Sequence, residues 1–241
     1  MKKRIDTLTA ALSAPASSPC TESGRRPAEE QGSGTLEAYI LAHTEPEGDY
    51  LHQLWRATHL HTIHGHMASG HLQGRLLKML VEMIQPHNVL EIGTFSGYSA
   101  ICMAEGMPPG GTVWTYEIND ELEDFTRHWI EGSDVADRIH FQIGDALSEA
   151  PRLGVSFDMV FIDGDKRTYT QAYDMAMSVT RTGGFIVADN TLWDGHVTDP
   201  TYAHDAQTQG IRNFNDYVRQ DSRSEQVIIP LRDGLTLIRK R

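Results

Sequence analysis

Short apolar runs alternate with longer amphipathic ones through most of this chain. The runs 89–92, 112–117, 138–143, 159–162 and 185–188 are bounded by Gly, Asp and Asn. Their length and β-branched content predict buried strands. The segments between them, 98–105, 120–131 and 169–180, predict helices, as does 209–220. Upstream, the pattern is helical from Leu36 to Ile84. Leu51, Leu54 and Trp55, then Leu72, Leu76, Leu77, Leu80, Val81 and Ile84, fall at helical spacing. Pro86 stops the second of these helices. Near the end, runs 226–230 and 235–239 flank Arg232-Asp233-Gly234, and D-G between apolar runs signals a hairpin. Strands alternating with helices predict an α/β fold, a doubly wound, mostly parallel sheet. The terminal hairpin would add an antiparallel C-terminal strand.

Composition sets the boundaries. Residues 1–34 are rich in Ser, Pro, Ala, Gly and Glu and read as a disordered tail. Residues 35–241 then form a single domain, with N-terminal helices over 35–85 and a Rossmann-like core over 86–241. A formal net charge of −12 argues against a nucleic-acid partner. No apolar run approaches the ~18 residues of a membrane span. No apolar stretch follows Met1-Lys2-Lys3-Arg4, so a signal peptide is not expected. The two cysteines, Cys20 and Cys102, make no disulfide framework, which favours a reducing, cytoplasmic setting.

Candidate chemistry collects after the strands. In an open parallel sheet, ligands sit beyond the carboxyl ends of the strands. Asp163 follows one predicted strand, and Asp189 and Asn190 follow another. Two carboxylates and an amide oxygen, without Cys or His, suit a hard cation such as Mg²⁺, Mn²⁺ or Ca²⁺. Lys166 is close enough in sequence to serve the same place. Gly93 and Gly97 permit a sharp turn and a close backbone approach to a ligand. Their spacing matches neither G-x-G-x-x-G nor the phosphate-binding loop. Glu91 lies on the strand before that turn, and Glu117 ends the next strand, where an acid can grip a ribose diol. Asp145 and Ala146 end the third, where a polar edge can face a base. Acids at three strand ends beside a glycine turn point to an adenosine-containing ligand. Glu91 places negative charge where the cationic amino-acid end of S-adenosylmethionine could sit. His59, His61, His64, His66 and His71 match no standard zinc spacing and read as solvated or core-satisfying histidines.

The segments V-L-E-I-G-T-F-S-G-Y-S, F-I-D-G-D-K and D-N-T-L-W-D-G together resemble the divalent-cation-dependent, S-adenosylmethionine-dependent O-methyltransferases, the family of catechol and caffeoyl-coenzyme A O-methyltransferases. The likeness runs from about Met67 to the end and is weaker from Leu36. It implies the seven-stranded class I methyltransferase sheet and a homodimer. It implies cation ligands at Asp163, Asp189 and Asn190, and a catalytic lysine at Lys166. Donor contacts are implied at Met67, Ser69, Glu91, Gly93, Ser99, Glu117, Ala146 and Asp163. Gly164-Asp165 is nearer the caffeoyl-coenzyme A branch, and Asp194 stands where plant members often carry a substrate-contacting Asn. Trp193 and Tyr202 are candidate walls for an aromatic substrate, and 196–209 for a mobile lid. The expected reaction moves a methyl group to a hydroxyl of a catechol-type or phenolic small molecule. The alternatives are a nicotinamide-dependent oxidoreductase on a similar sheet and a non-catalytic S-adenosylmethionine-binding protein.

Overall fold

The computed structural model describes residues 35–241, so the reading of 1–34 as a tail lies outside the described residues. Contacts divide the chain at Ala42/His43. The helix Leu36–Ala42 belongs to the first unit, and its first turn is closed by Thr35, whose side-chain hydroxyl accepts from the Ala38 amide.

The second unit, His43–Arg241, opens with helices Asp49–His61 and Gly70–Ile84. Strands and helices then alternate: β1 (Asn88–Ile92), helix Tyr98–Glu105, β2 (Thr112–Glu117), helix Glu123–Glu131 and β3 (Ile139–Ile143). After β3 come a short helix Ala146–Glu149, β4 (Phe157–Ile162), helix Tyr169–Val179 and β5 (Thr180–Ala188). Helix Ala206–Gln220, β6 (Ser224–Ile229) and β7 (Leu235–Lys240) close the chain. Among the described residues the strands form one seven-stranded sheet in the order β3-β2-β1-β4-β5-β7-β6. β7 pairs antiparallel with both β5 and β6, and the remaining pairings are parallel.

Both faces of the sheet are covered, which explains the unbroken apolar strands. Leu90, Val160, Ile162 and Ile186 face the helices Tyr169–Val179 and Ala206–Gln220, through Tyr173 and Phe214. Val89, Val113, Met159, Phe161 and Val187 face the opposite core with Leu77, Val81, Tyr98 and Ile101. Strand order reverses between β1 and β4, where the chain first runs outward to β3 and then returns. In open α/β sheets such a reversal marks the place, beyond the carboxyl ends of the strands, where ligands bind.

Three local departures from the sequence pattern have physical causes. β5 begins at Thr180, well before its apolar run, because Thr180 pairs with Phe157 and the ladder then shifts register before Met159. Helix Glu123–Glu131 is preceded by a 3-10 turn, Asp120–Leu122, started by Asn119, whose side chain accepts from the Glu121 amide. The 196–209 segment combines short 3-10 turns, Trp193–Thr198 and Pro200–Tyr202, with the first turn of helix Ala206–Gln220. Arg212 reaches across to the carbonyls of His196, Val197 and Asp199, and His196 stacks on Tyr202 with ring centroids 3.6 Å apart.

Candidate functional site

The sheet register brings three of the sequence-marked positions side by side. Ile92 pairs with Ile162, and Ile162 with Ala188. The next residue on each strand is therefore Gly93, Asp163 and Asp189. The ladder continues one step into the loops: the Asp163 amide donates to the Ile92 carbonyl at 2.9 Å, and the Asp189 amide to the Ile162 carbonyl at 3.0 Å. Gly93 has φ 99°, and a Cβ there would sit 2.3 Å from the Asp163 carbonyl oxygen. The close approach that the glycine permits is thus to the neighbouring strand end. Gly97, at φ 86°, turns the chain into helix Tyr98–Glu105 against Ile130.

The carboxylates occupy different environments. Asp163 is partly exposed and accepts from Lys166 Nζ at 2.9 Å, and Nζ also donates to the Gly164 carbonyl at 3.0 Å. Lys166 is 8% exposed, with Nζ 5.2 Å from the Tyr169 ring centroid and 5.9 Å from that of Trp193. Burial is the largest single influence and lowers the Lys166 pKa, but the Asp163 charge and hydrogen bond, together with Tyr169, outweigh it and hold the amine protonated. Asp189 is buried; Gln73 Nε2 donates to its Oδ2 at 2.6 Å and the Asn190 amide to its Oδ1 at 2.8 Å. Burial, followed by the nearby Asp163 charge, raises its pKa.

Asn190, at φ 56°, donates from Nδ2 to Asp233 Oδ2 at 2.5 Å. This fixes its amide, and its buried Oδ1 has no hydrogen-bond partner among the described residues. An orphaned amide oxygen beside two mutually repelling carboxylates is an arrangement that a hard cation would satisfy. Among the described residues no group of three or more His, Cys, Asp and Glu could hold a metal ion. The set named here holds two carboxylates, and its third oxygen is an amide.

The donor-side residues form a second group. Glu91 is fully buried on β1, where Ser99 Oγ and Thr115 Oγ1 each lie 2.5 Å from its carboxyl oxygens. Burial raises its pKa to about 8, against the lowering effect of those two hydroxyls. Glu117 accepts the Phe95 amide at 2.8 Å and the Asn119 amide at 2.9 Å, which braces the glycine turn. Ala146 is buried and begins a helix that Asp145 caps through the Leu147 amide. Ser69 is buried and Met67 is exposed, just before helix Gly70–Ile84. Asp194 is exposed, and Trp193 and Asp194 both have left-handed backbone, at φ 46° and 50°.

The sequence reading passed over Gln73, Tyr169, Arg232 and Asp233. Gln73 carried a usable signal: a polar residue among the leucines of an apolar stripe. Arg232 and Asp233 carried none, because they read only as a hairpin turn. In the folded chain Arg232 Nη1 donates to Gln73 Oε1 at 3.0 Å and to the carbonyls of Ala68 and Ser69. The Asp233 carbonyl accepts the Leu192 and Trp193 amides.

The sequence model of the O-methyltransferase family matches residues 42–241. Caffeoyl-CoA O-methyltransferase 1 of Eucalyptus globulus is 34% identical over 181 residues, covering 70% of this chain and 72% of that protein. The catechol O-methyltransferase of Niastella koreensis is 36% identical over 147 residues, covering 59% of this chain and 66% of that protein. The O-methyltransferase TomG of Streptomyces achromogenes, involved in tomaymycin synthesis and solved with S-adenosylmethionine, superposes with a TM-score of 0.78. It is 30% identical, covering 85% of this chain and 95% of that one.

Proposed function

The chain belongs to the O-methyltransferase family, and on that premise we propose that it moves a methyl group from S-adenosylmethionine to a hydroxyl of a catechol-type or phenolic small molecule, assisted by a divalent cation. Membership removes the nicotinamide oxidoreductase alternative. The observation that carries the proposal is the grouping of buried Lys166 with Asp163, Asp189 and the unpartnered Asn190 Oδ1 at adjoining strand ends. The same lysine weighs against a protein that only binds the donor.

In this reading Asp163, Asp189 and Asn190 hold the cation, with Mg²⁺ the first candidate. When bound, the donor supplies an electrophilic sulfonium methyl and the cation favours the ionised form of a coordinated hydroxyl. Glu91 and Ser99 receive the amino-acid end of the donor, with Met67, Ser69 and Gly93 around it. Glu117 takes the ribose diol, and Ala146 lines the base. Lys166 handles the substrate proton at Nζ. Asp163 keeps that amine protonated while its negative charge is uncompensated. Compensation of that charge leaves burial as the dominant influence, and burial lowers the lysine pKa towards that of a working base. Trp193 and Asp194 border the aromatic ring. The side chains mainly orient the reactants and exclude water. A homodimer in the cytoplasm belongs to the same proposal: the family likeness suggests the assembly, and the sparse cysteines suggest the compartment.

Incubation with S-adenosylmethionine, Mg²⁺ and a panel of catechols and phenols, read by mass spectrometry, should yield a monomethylated product. Activity should vanish with a chelator and return with Mg²⁺ or Mn²⁺. Methylation undiminished in chelator would remove the cation, and no product from any aromatic hydroxyl would remove the substrate class.

A further inference from the structure

We propose that Gln73, held by Arg232, is a positioning residue that couples the cation half of the site to the donor half. The proposal rests on the reading of Asp189 as a cation ligand and of residues 67–69 as part of the donor site. Gln73 is 1% exposed, on the face of helix Gly70–Ile84 that turns inward. Arg232 can only donate hydrogen bonds, so its contact at 3.0 Å identifies the Gln73 atom facing it as Oε1. The amide is thereby oriented with Nε2 towards Asp189 Oδ2, at 2.6 Å. The same Arg232 nitrogen donates to the carbonyls of Ala68 and Ser69. One guanidinium therefore ties the chain at 68–69 to an amide that ties in turn to Asp189.

This arrangement does two things. It fixes the rotamer of a buried carboxylate whose other hydrogen-bond donor among the described residues is the Asn190 backbone amide. Partners of this kind orient a ligand oxygen, and their loss typically weakens metal binding ~10–100-fold. It also makes the position of residues 68–69 depend on that of Asp189, and the reverse. Where two ligands favour the same arrangement of one connected element, each raises the other's affinity by the same factor.

The test is calorimetric titration of Mg²⁺ into the full chain, with and without S-adenosylhomocysteine, for the unaltered protein and for Gln73→Met, Arg232→Met and Asp189→Ala. The unaltered protein should bind Mg²⁺ more tightly when S-adenosylhomocysteine is present. Gln73→Met should weaken Mg²⁺ about 10–100-fold and abolish that enhancement. Arg232 is at the surface, so Arg232→Met should fold normally. It should keep the Mg²⁺ affinity of the isolated protein within about threefold, because Nε2 still reaches Asp189, yet lose the enhancement. Mg²⁺ affinity and enhancement unchanged in Gln73→Met, or full enhancement in Arg232→Met, would overturn the proposal while leaving the cation reading intact. Equal Mg²⁺ binding by the unaltered protein and Asp189→Ala would instead overturn the cation reading, and the coupling with it.

Discussion

Lys166 Nζ lies 2.9 Å from Asp163 Oδ1, with both side chains largely withdrawn from solvent. The pair makes the protonation of the lysine depend on whatever else competes for the Asp163 charge. Lys166→Ala should therefore lower kcat more than it raises KM, because proton removal belongs to the transition state. The loss should fall at the low end of the ~10²–10⁴-fold typical of a general base. Lys166→Arg keeps a positive charge but cannot give up its proton near neutral pH, so it should be no more active than Lys166→Ala. The ascending limb of the pH–rate profile should shift or disappear in both. Wild-type kcat with an unchanged profile in Lys166→Ala would take this residue out of the mechanism.

Glu91 predicts a pH dependence of stability. Its folded pKa is raised from 4.5 to about 8 by burial. Between those values the folded chain keeps a proton that the unfolded chain has lost, so stability falls as pH rises through that window. The contribution is fully present below pH 4.5 and is lost by about pH 8. The slope from this one group is at most about 1.4 kcal/mol per pH unit. Glu91→Gln, which has no proton to lose, should flatten the ligand-free melting-temperature profile between pH 5 and pH 8. Parallel profiles for the two proteins would show that Glu91 does not titrate in this range.

Glu117 braces the turn after β1 and is also the candidate ribose acceptor. Glu117→Ala should weaken S-adenosylmethionine binding by about 1.5–3 kcal/mol, the value of a hydrogen bond to a charged group. Two backbone amides, of Phe95 and Asn119, lose their acceptor in the same variant. Its melting temperature should therefore drop as well. Calorimetry showing unchanged affinity would leave Glu117 with the bracing role alone.

Gly93 admits no side chain. A Cβ would meet the Asp163 carbonyl at 2.3 Å, on a backbone of φ 99°. Gly93→Ala should cost about 1–3 kcal/mol from backbone strain before the clash is counted. It should also displace Asp163 and reduce activity by more than the fall in stability explains. A variant with wild-type melting temperature and turnover would mean that the strand ends separate easily.

Most of the sheet was legible because a strand buried on both faces must be apolar throughout, and such runs stand out against Gly, Asp and Asn. The positions of Asp163, Asp189 and Asn190 followed, since the end of a parallel strand is readable from its sequence. The split of β1 between two cores, Val89 on one side and Leu90 and Ile92 on the other, came only with the fold. Gln73 stood out only as a polar residue in an apolar stripe, without a sign of its partner, and Arg232 and Asp233 were not readable as site residues. Helix Gly70–Ile84 and the hairpin turn are separated by nearly the whole sheet in sequence, and only the return of β7 beside β5 brings the turn to Asp189 and Asn190. The protonation of Lys166 was also undecided by the sequence. Burial and the Asp163 charge push its pKa in opposite directions, and their balance depends on distances that exist only once β4 and the following turn have folded.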